Sequence, residues 1–156
     1  MLLLHTWTPG HRPADQVATW DAVQALEDRT DLVVLHRPTF AETSYAEAWR
    51  DVWDAPGIVL GVEQDIVPTP WHVAELVACP GGYCAWDYRL ANGQLWSEVP
   101  EGRGFGLVKF TRAARLAVIE RPMVPLVPWR DVASVISSRV GPPHVHQPPV
   151  RHNHVG

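Results

Sequence analysis

Three short, unbroken apolar runs, each followed by a stretch of helical spacing, constrain this chain more than any other feature. They are Leu2-Leu3-Leu4-His5, Asp31-Leu32-Val33-Val34-Leu35-His36 and Ile58-Val59-Leu60-Gly61-Val62. A strand that is apolar at consecutive positions is covered on both faces, which is the habit of parallel sheets. Between the first two runs, Val17, Trp20, Ala22, Val23 and Leu26 recur near helical spacing behind Pro13, a residue suited to a first helical turn. Between the second and third, Thr43 or Ser44 can cap a helix carrying Tyr45, Ala48, Trp49 and Val52, which Pro56-Gly57 ends. The repeated strand-then-helix step predicts an α/β fold: a three-layer sandwich around a mostly parallel central sheet.

The later segments extend this pattern. Pro70 opens a helix through Trp71, Val73, Ala74, Leu76 and Val77, and Tyr83-Cys84-Ala85-Trp86 is a fourth strand. Residues Asp87 to Arg103 form a connection too long for a simple turn. Gly104 to Phe110 returns as a strand, Thr111 caps a short helix, and a Pro-rich link precedes a last helix from Trp129 to Val140. With 156 residues the chain fits one domain, 1–156, closed by a His-rich segment, 141–156.

Composition excludes several classes. Hydrophobic residues make 46% and charged residues 19%, a globular balance, and a net charge of −4 supplies no basic stripe for nucleic acid. The apolar N-terminal run is too short for a leader or a membrane span. Cys79 and Cys84, in CPGGYC, lack the close spacing of a zinc ribbon and read as buried thiols or as a disulfide; a cytoplasmic setting is expected. No P-loop, nucleophile elbow or Ser-His-Asp order is present, and Gly102-Arg103-Gly104-Phe105-Gly106 precedes a strand, unlike a dinucleotide fingerprint.

The third apolar run leads directly into Glu63-Gln64-Asp65, acids at the carboxyl end of a central strand, where open α/β sheets bind their ligands. One residue apart on an extended strand, the two carboxylates share a face and can converge on Mg²⁺ or Mn²⁺ bridging a diphosphate; solvated loop acids or a helix cap are the plainer reading. His144 and His146, and again His152 and His154, alternate in the same way, either towards a metal or as a polar tail. A zinc site made of histidines alone is a further possibility.

The stretch from Ala46-Glu47-Ala48-Trp49-Arg50 to Glu63-Gln64-Asp65-Ile66-Val67-Pro68 resembles the helix, buried strand and acidic D-x-D element of glycosyltransferases with the GT-A fold. The order of elements is similar over most of the chain, and the acidic motif is the locally diagnostic part. The resemblance implies that Asp65 ligates the metal and that Glu63, in place of the usual Asp, holds ribose or sugar. It implies that His152 or His154 completes the metal site, and that Thr6, Gly104, Gly106 and Lys109 help bind the donor, with Thr111 and Arg112 within reach of acceptor or phosphate. Asp131, beside Trp129 as a sugar-stacking ring, is the implied base, Asp87 its competitor and a helix cap its structural alternative.

The implied activity is a metal-dependent glycosyltransferase. It would move a sugar from a nucleoside-diphosphate donor, a UDP-sugar foremost, to an acceptor hydroxyl on a sugar, a small molecule or, in a phage-type enzyme, a hydroxymethylated DNA base. Two other classes stand beside it: a non-catalytic nucleotide-sugar or carbohydrate-binding protein on the same scaffold, and a His/Asp metal hydrolase.

Overall fold

The computed structural model describes residues 1–9, 13–28, 32–98, 105–118 and 126–152. Strands β1 (Leu2–Trp7), β2 (Val33–Pro38) and β3 (Val59–Glu63) alternate with helices α1 (Pro13–Glu27) and α2 (Ser44–Trp53). There follow β4 (Ile66–Val67), α3 (Pro70–Ala78), β5 (Tyr83–Tyr88), β6 (Leu107–Phe110), α4 (Arg112–Leu116), α5 (Trp129–Val140) and β7 (His144–His152). The seven strands lie in the order β2-β1-β3-β6-β5-β7-β4.

The fold is α/β, and the sheet is mixed where a mostly parallel one was expected. β1 pairs in parallel with β2 and β3, as the apolar runs require. β6 runs antiparallel to both its neighbours, β3 and β5. The reason is the connection from β5 to β6: the described part of it carries only a single 3-10 turn, Trp96–Glu98, and no crossover helix. Without a crossover, consecutive paired strands are antiparallel. β7 is parallel to β5, and β4 closes the edge antiparallel to β7.

Alternation along the strands divides the interior into two cores. Leu4, Val59, Ala85 and Val108 meet Trp49 and Val52 of α2 and Val132 and Ile136 of α5. Leu3, Leu60, Cys84 and Leu107 meet Val23 and Leu26 of α1 and Val73 and Leu76 of α3. Trp49 anchors the first core, its ring 5.0 Å from Phe105 and 5.5 Å from Phe110. Removing such a side chain costs about 3–5 kcal/mol. The strand beneath it must be bare: a Cβ on Gly61 would lie 2.5 Å from the Trp49 ring.

The cap read at Thr111 is present, Thr43 makes no side-chain cap on α2, and α3 has a cap that was not read from the sequence. Thr69 and His72 form a reciprocal capping box on α3, and the Thr111 hydroxyl accepts from the Ala114 amide on α4. The carbonyls after α2 have an unusual partner. Arg115, 1% exposed, donates to the carbonyls of Val52, Trp53, Ala55 and Gly57, so a buried guanidinium satisfies acceptors that a helix end leaves open. This fixes the turn from which β3 starts, and β3 carries the site.

Candidate functional site

The parallel strands β1, β2 and β3 end together, and a pocket of about 500 Å³ opens at their carboxyl ends. Its walls are Thr6, Trp7 and Thr8 from β1 and beyond, Thr39 to Glu42 after β2, Tyr45 of α2, Glu63, Gln64 and Asp65, and Trp129 of α5. This is the crevice that open α/β sheets offer to ligands. Three carboxylates line it, and no Lys or Arg is among the described lining residues.

The hydrogen bonds that shape the crevice tie the strand ends to one another. The Thr8 amide donates to the Gln64 side-chain oxygen at 2.6 Å, and the Gln16 amide nitrogen donates to the Thr8 carbonyl at 2.7 Å. Thr8 and Thr39 share a hydroxyl–hydroxyl bond of 2.8 Å. The middle residue of the acidic segment is therefore a structural clamp, and Thr6, 4% exposed, forms the floor.

Glu63 and Asp65 do not share a strand face. Glu63 is the last residue of β3, whereas Gln64 and Asp65 make the turn into β4, so the alternation rule stops applying between them. Glu63 faces the α2 side: its Oε1 accepts from the Tyr45 hydroxyl and, at 2.7 Å, from the Phe105 amide. Burial pushes the Glu63 carboxyl up, and the neighbouring Asp65 charge adds to this against the Tyr45 bond. Burial, then the Glu63 charge, holds the Tyr45 phenol well above its usual range, so the hydroxyl keeps its proton and donates.

Asp65 turns the other way, to the last strand. Pairing of Ile66 with His152 across β4 and β7 sets His152 Nε2 3.0 Å from Asp65 Oδ2. On the far side of the ring, Nδ1 lies 2.7 Å from the Arg89 carbonyl, which can only accept, so Nδ1 carries the hydrogen. That bond aims Nε2 at the carboxylate. Burial lowers the His152 pKa, but the Asp65 hydrogen bond and charge, with help from the Arg89 carbonyl and Glu63, outweigh it and leave the value raised.

A cation ligated by Asp65 and His152 fits this arrangement on the chemistry of the donors. A histidine whose outer nitrogen is fixed by a backbone carbonyl is in the pose that metal-ligating histidines adopt, and its inner nitrogen, now hydrogen-bonded to Asp65, would offer a lone pair to a cation that displaced the proton between them. The side chains are 6% and 25% exposed, sheltered yet open to the crevice. A carboxylate with one imidazole is a mixed donor set, more suited to a transition-metal dication such as Mn²⁺ than to Mg²⁺, which prefers oxygen throughout.

Other expected residues stand elsewhere. Lys109 is corrected as a donor ligand: it pairs with Leu60 and Cys84, below the strand ends, and its ammonium is buried against the Cys79 carbonyl. Burial lowers its pKa there. Thr111 and Arg112 begin α4, with the Thr111 amide on the Gly82 carbonyl, and so also lie at the far end of the sheet. Asp87 is corrected as a base: it is fully buried, and its oxygens accept from Ser97, Gln147 and the Tyr88 amide. Asp131 lies in the first turn of α5 without capping it, two residues beyond the lining Trp129 and not itself in the lining.

Gly106 stays beside the site: its carbonyl accepts from the Glu63 amide at 2.9 Å, its φ is +64°, and a Cβ would collide with the Tyr88 ring. Gly104 and His154 lie outside the described residues. His144 and His146 begin β7, far along it from His152. Cys79 and Cys84 are joined by a disulfide. This corrects the reading as free thiols and removes the cysteine argument for a cytoplasmic setting.

Sequence reasoning missed Tyr45, Gln64, Thr8, Thr39 and Glu42. The signal was available for some: Thr8 and Thr39 stand three residues past the first two apolar runs, at strand ends equivalent to the one that singled out Asp65. Tyr45 carried none, because a helix-borne tyrosine reads as core. Among the described residues no helix is long and apolar enough to cross a membrane. The chain matches no protein-family model, and comparison with curated proteins gave no match.

Proposed function

We propose that the chain is a metal-dependent glycosyltransferase of GT-A type, with the strand-end crevice as the donor site. The observation that carries the reading is the Asp65–His152 pair, brought together at 3.0 Å from distant parts of the sequence at the rim of a pocket whose charged lining residues are all acids. A nucleoside diphosphate meeting Glu42, Glu63 and Asp65 with no lining cation would be repelled. A divalent ion held by Asp65 and His152 supplies the missing charge and stabilises the leaving diphosphate.

The chain's own residues then have distinct tasks. Asp65 and His152 hold the ion; Glu63, kept in place by Tyr45 and the Phe105 amide, offers its other oxygen to a ribose or sugar hydroxyl. Trp7, Phe40 and Trp129 give flat apolar faces for a base or sugar ring, Phe40 and Trp129 being exposed. Removal of the acceptor proton needs a carboxylate in the pocket. Glu42, exposed and paired with Arg130 at 3.3 Å, is the lining acid not engaged in holding Glu63 or the ion. Acidic walls favour a neutral acceptor hydroxyl over a nucleic-acid backbone.

The test is thermal unfolding with uridine and guanosine diphosphates, with and without Mn²⁺. The expected result is stabilisation by nucleotide only when the ion is present, by about 2.7 kcal/mol at a hundredfold excess over the dissociation constant. Equal stabilisation in chelator would overturn the reading.

A further inference from the structure

At the end of the sheet opposite the crevice, three soft or borderline donors converge. Cys79 is the C-cap of α3, Cys84 is the second residue of β5, and His146 is the third residue of β7. One ligand atom from each lies within 4.8 Å of both others. Cys84 is fully buried, Cys79 nearly so. His146 Nε2 is buried without a hydrogen-bond partner, an orphan of the sort that normally costs about 1–3 kcal/mol unless something meets it.

The surroundings are shaped for the cluster. The CPGGYC loop crosses it at Gly81, where a Cβ would lie 2.9 Å from Cys84 Sγ and 3.5 Å from Cys79 Sγ. Only glycine lets the backbone pass that close. Lys109 donates to the Cys79 carbonyl, so the backbone of one of the two cysteines is held in place from β6. The charged or titratable groups acting on His146 are His144, Glu75 and Lys109, and burial keeps the imidazole neutral, the form that ligates. The ring packs against Trp86 at 5.1 Å and His144 at 5.0 Å, but neither contact meets Nε2.

We propose that Cys79, Cys84 and His146 form a redox-gated site for a cation of the zinc class, closed while the two sulfurs are bonded and open when a dithiol reduces them. In the reduction the dithiol gives up two hydrogens and becomes its own disulfide, while the Sγ–Sγ bond breaks and Cys79 and Cys84 become thiols. Binding then releases both thiol protons as each sulfur bonds the ion, and His146 adds a neutral nitrogen lone pair. Two thiolates balance the dication, and water completes the tetrahedron. The ion would tie the end of α3 and the start of β5 to β7, the strand that carries His152 at its other end.

The test uses the full chain, metal-free, oxidised or reduced with a non-thiol phosphine, and titrated with Co²⁺ as a spectroscopic stand-in for zinc. The reduced wild type is expected to take about one equivalent more than the oxidised form, release about two protons more and develop the near-ultraviolet absorption of thiolate bound to cobalt, which Zn²⁺ then displaces. The oxidised wild type is expected to develop none. Comparing two redox states of one sequence removes the folding ambiguity of cysteine variants. His146→Ala should weaken Zn²⁺ binding at least about tenfold, since loss of an outer partner alone costs about 10–100-fold. Asp65→Asn should leave the thiolate absorption intact, which separates this site from the crevice. Absence of that absorption in the reduced wild type, or His146→Ala affinity within about twofold of wild type, would overturn the proposal.

Discussion

At the scale of single residues, the site divides labour between side chains that neighbour one another in sequence. Asp65 is 25% exposed and its main contact is the His152 ring, so Asp65→Asn, which keeps the shape and an oxygen acceptor, is expected to leave the fold intact at a cost of about 1–3 kcal/mol. Cation-dependent nucleotide affinity should nevertheless fall about a hundredfold or more, read by calorimetry with and without Mn²⁺. Glu42→Gln should lower the transfer rate while leaving donor affinity within about twofold, and a retained rate would remove Glu42 from the chemistry. If His152 holds the proposed ion, protons would compete with it at Nε2. Because the His152 pKa is raised above 6.5, Mn²⁺ affinity should climb about tenfold per pH unit below that raised value and level off above it. Legibility at this scale tracked position. Asp65 could be found because a strand end is visible in sequence, whereas Lys109 and Asp87 misled because a strand's residues do not reveal which end of the sheet they occupy or what already holds them.

At the scale of elements, β1 to β3 were readable because buried parallel strands announce themselves as apolar runs, and α5 begins and ends where its spacing predicts. β7 was readable only in part: the alternating histidines allowed a strand or a polar tail, and HVHQPPVRH, with two prolines and mostly polar side chains, does not show one continuous strand. The structure accommodates them in a bulge: Trp86 pairs with His146 and Tyr88 with Val150, so residues 147–149 stand outside the ladder, where missing amide hydrogens cost nothing. Gln147 there donates to the buried Asp87, so the bulge also serves a carboxylate. The tail is thus an inner strand, and its removal has two consequences. Ending the chain after Pro149 deletes Val150, 2% exposed, and the whole β4–β7 pairing, so stability should drop by roughly 2–4 kcal/mol in urea unfolding along with ion binding. His152→Ala should lose ion binding with a much smaller stability change. Similar unfolding midpoints for truncation and wild type would mean that β7 is not held as described.

At the scale of the whole molecule, buried histidines set the pH window in which the metal-free fold persists. His5 of β1 is fully buried, bonded through Nδ1 to His36 of β2 at 2.9 Å and edge-on to Trp20 of α1. Burial, then the neighbouring His36, pushes the His5 pKa down to about 3. The unfolded chain takes up this proton near pH 6.5 while the folded one refuses it, so stability is complete above that pH and is lost as pH falls from 6.5 towards 3. His152 acts in the opposite sense. Its raised pKa contributes stability below 6.5 that disappears as pH rises through the folded value. The metal-free protein should therefore be most stable close to neutrality, and bound cation should extend the plateau upward by replacing the proton between Asp65 and His152. The acid limb is the sharper test: burial also lowers His36, His72 and His146, but His5 alone supplies a slope of up to about 1.4 kcal/mol per pH unit. His5→Gln keeps a polar partner for His36 and cannot titrate. Urea unfolding at intervals between pH 7 and pH 4 should show a shallower decline for the variant, by close to one proton's worth of slope, and equal slopes would place the acid sensitivity outside the β1–β2–α1 cluster.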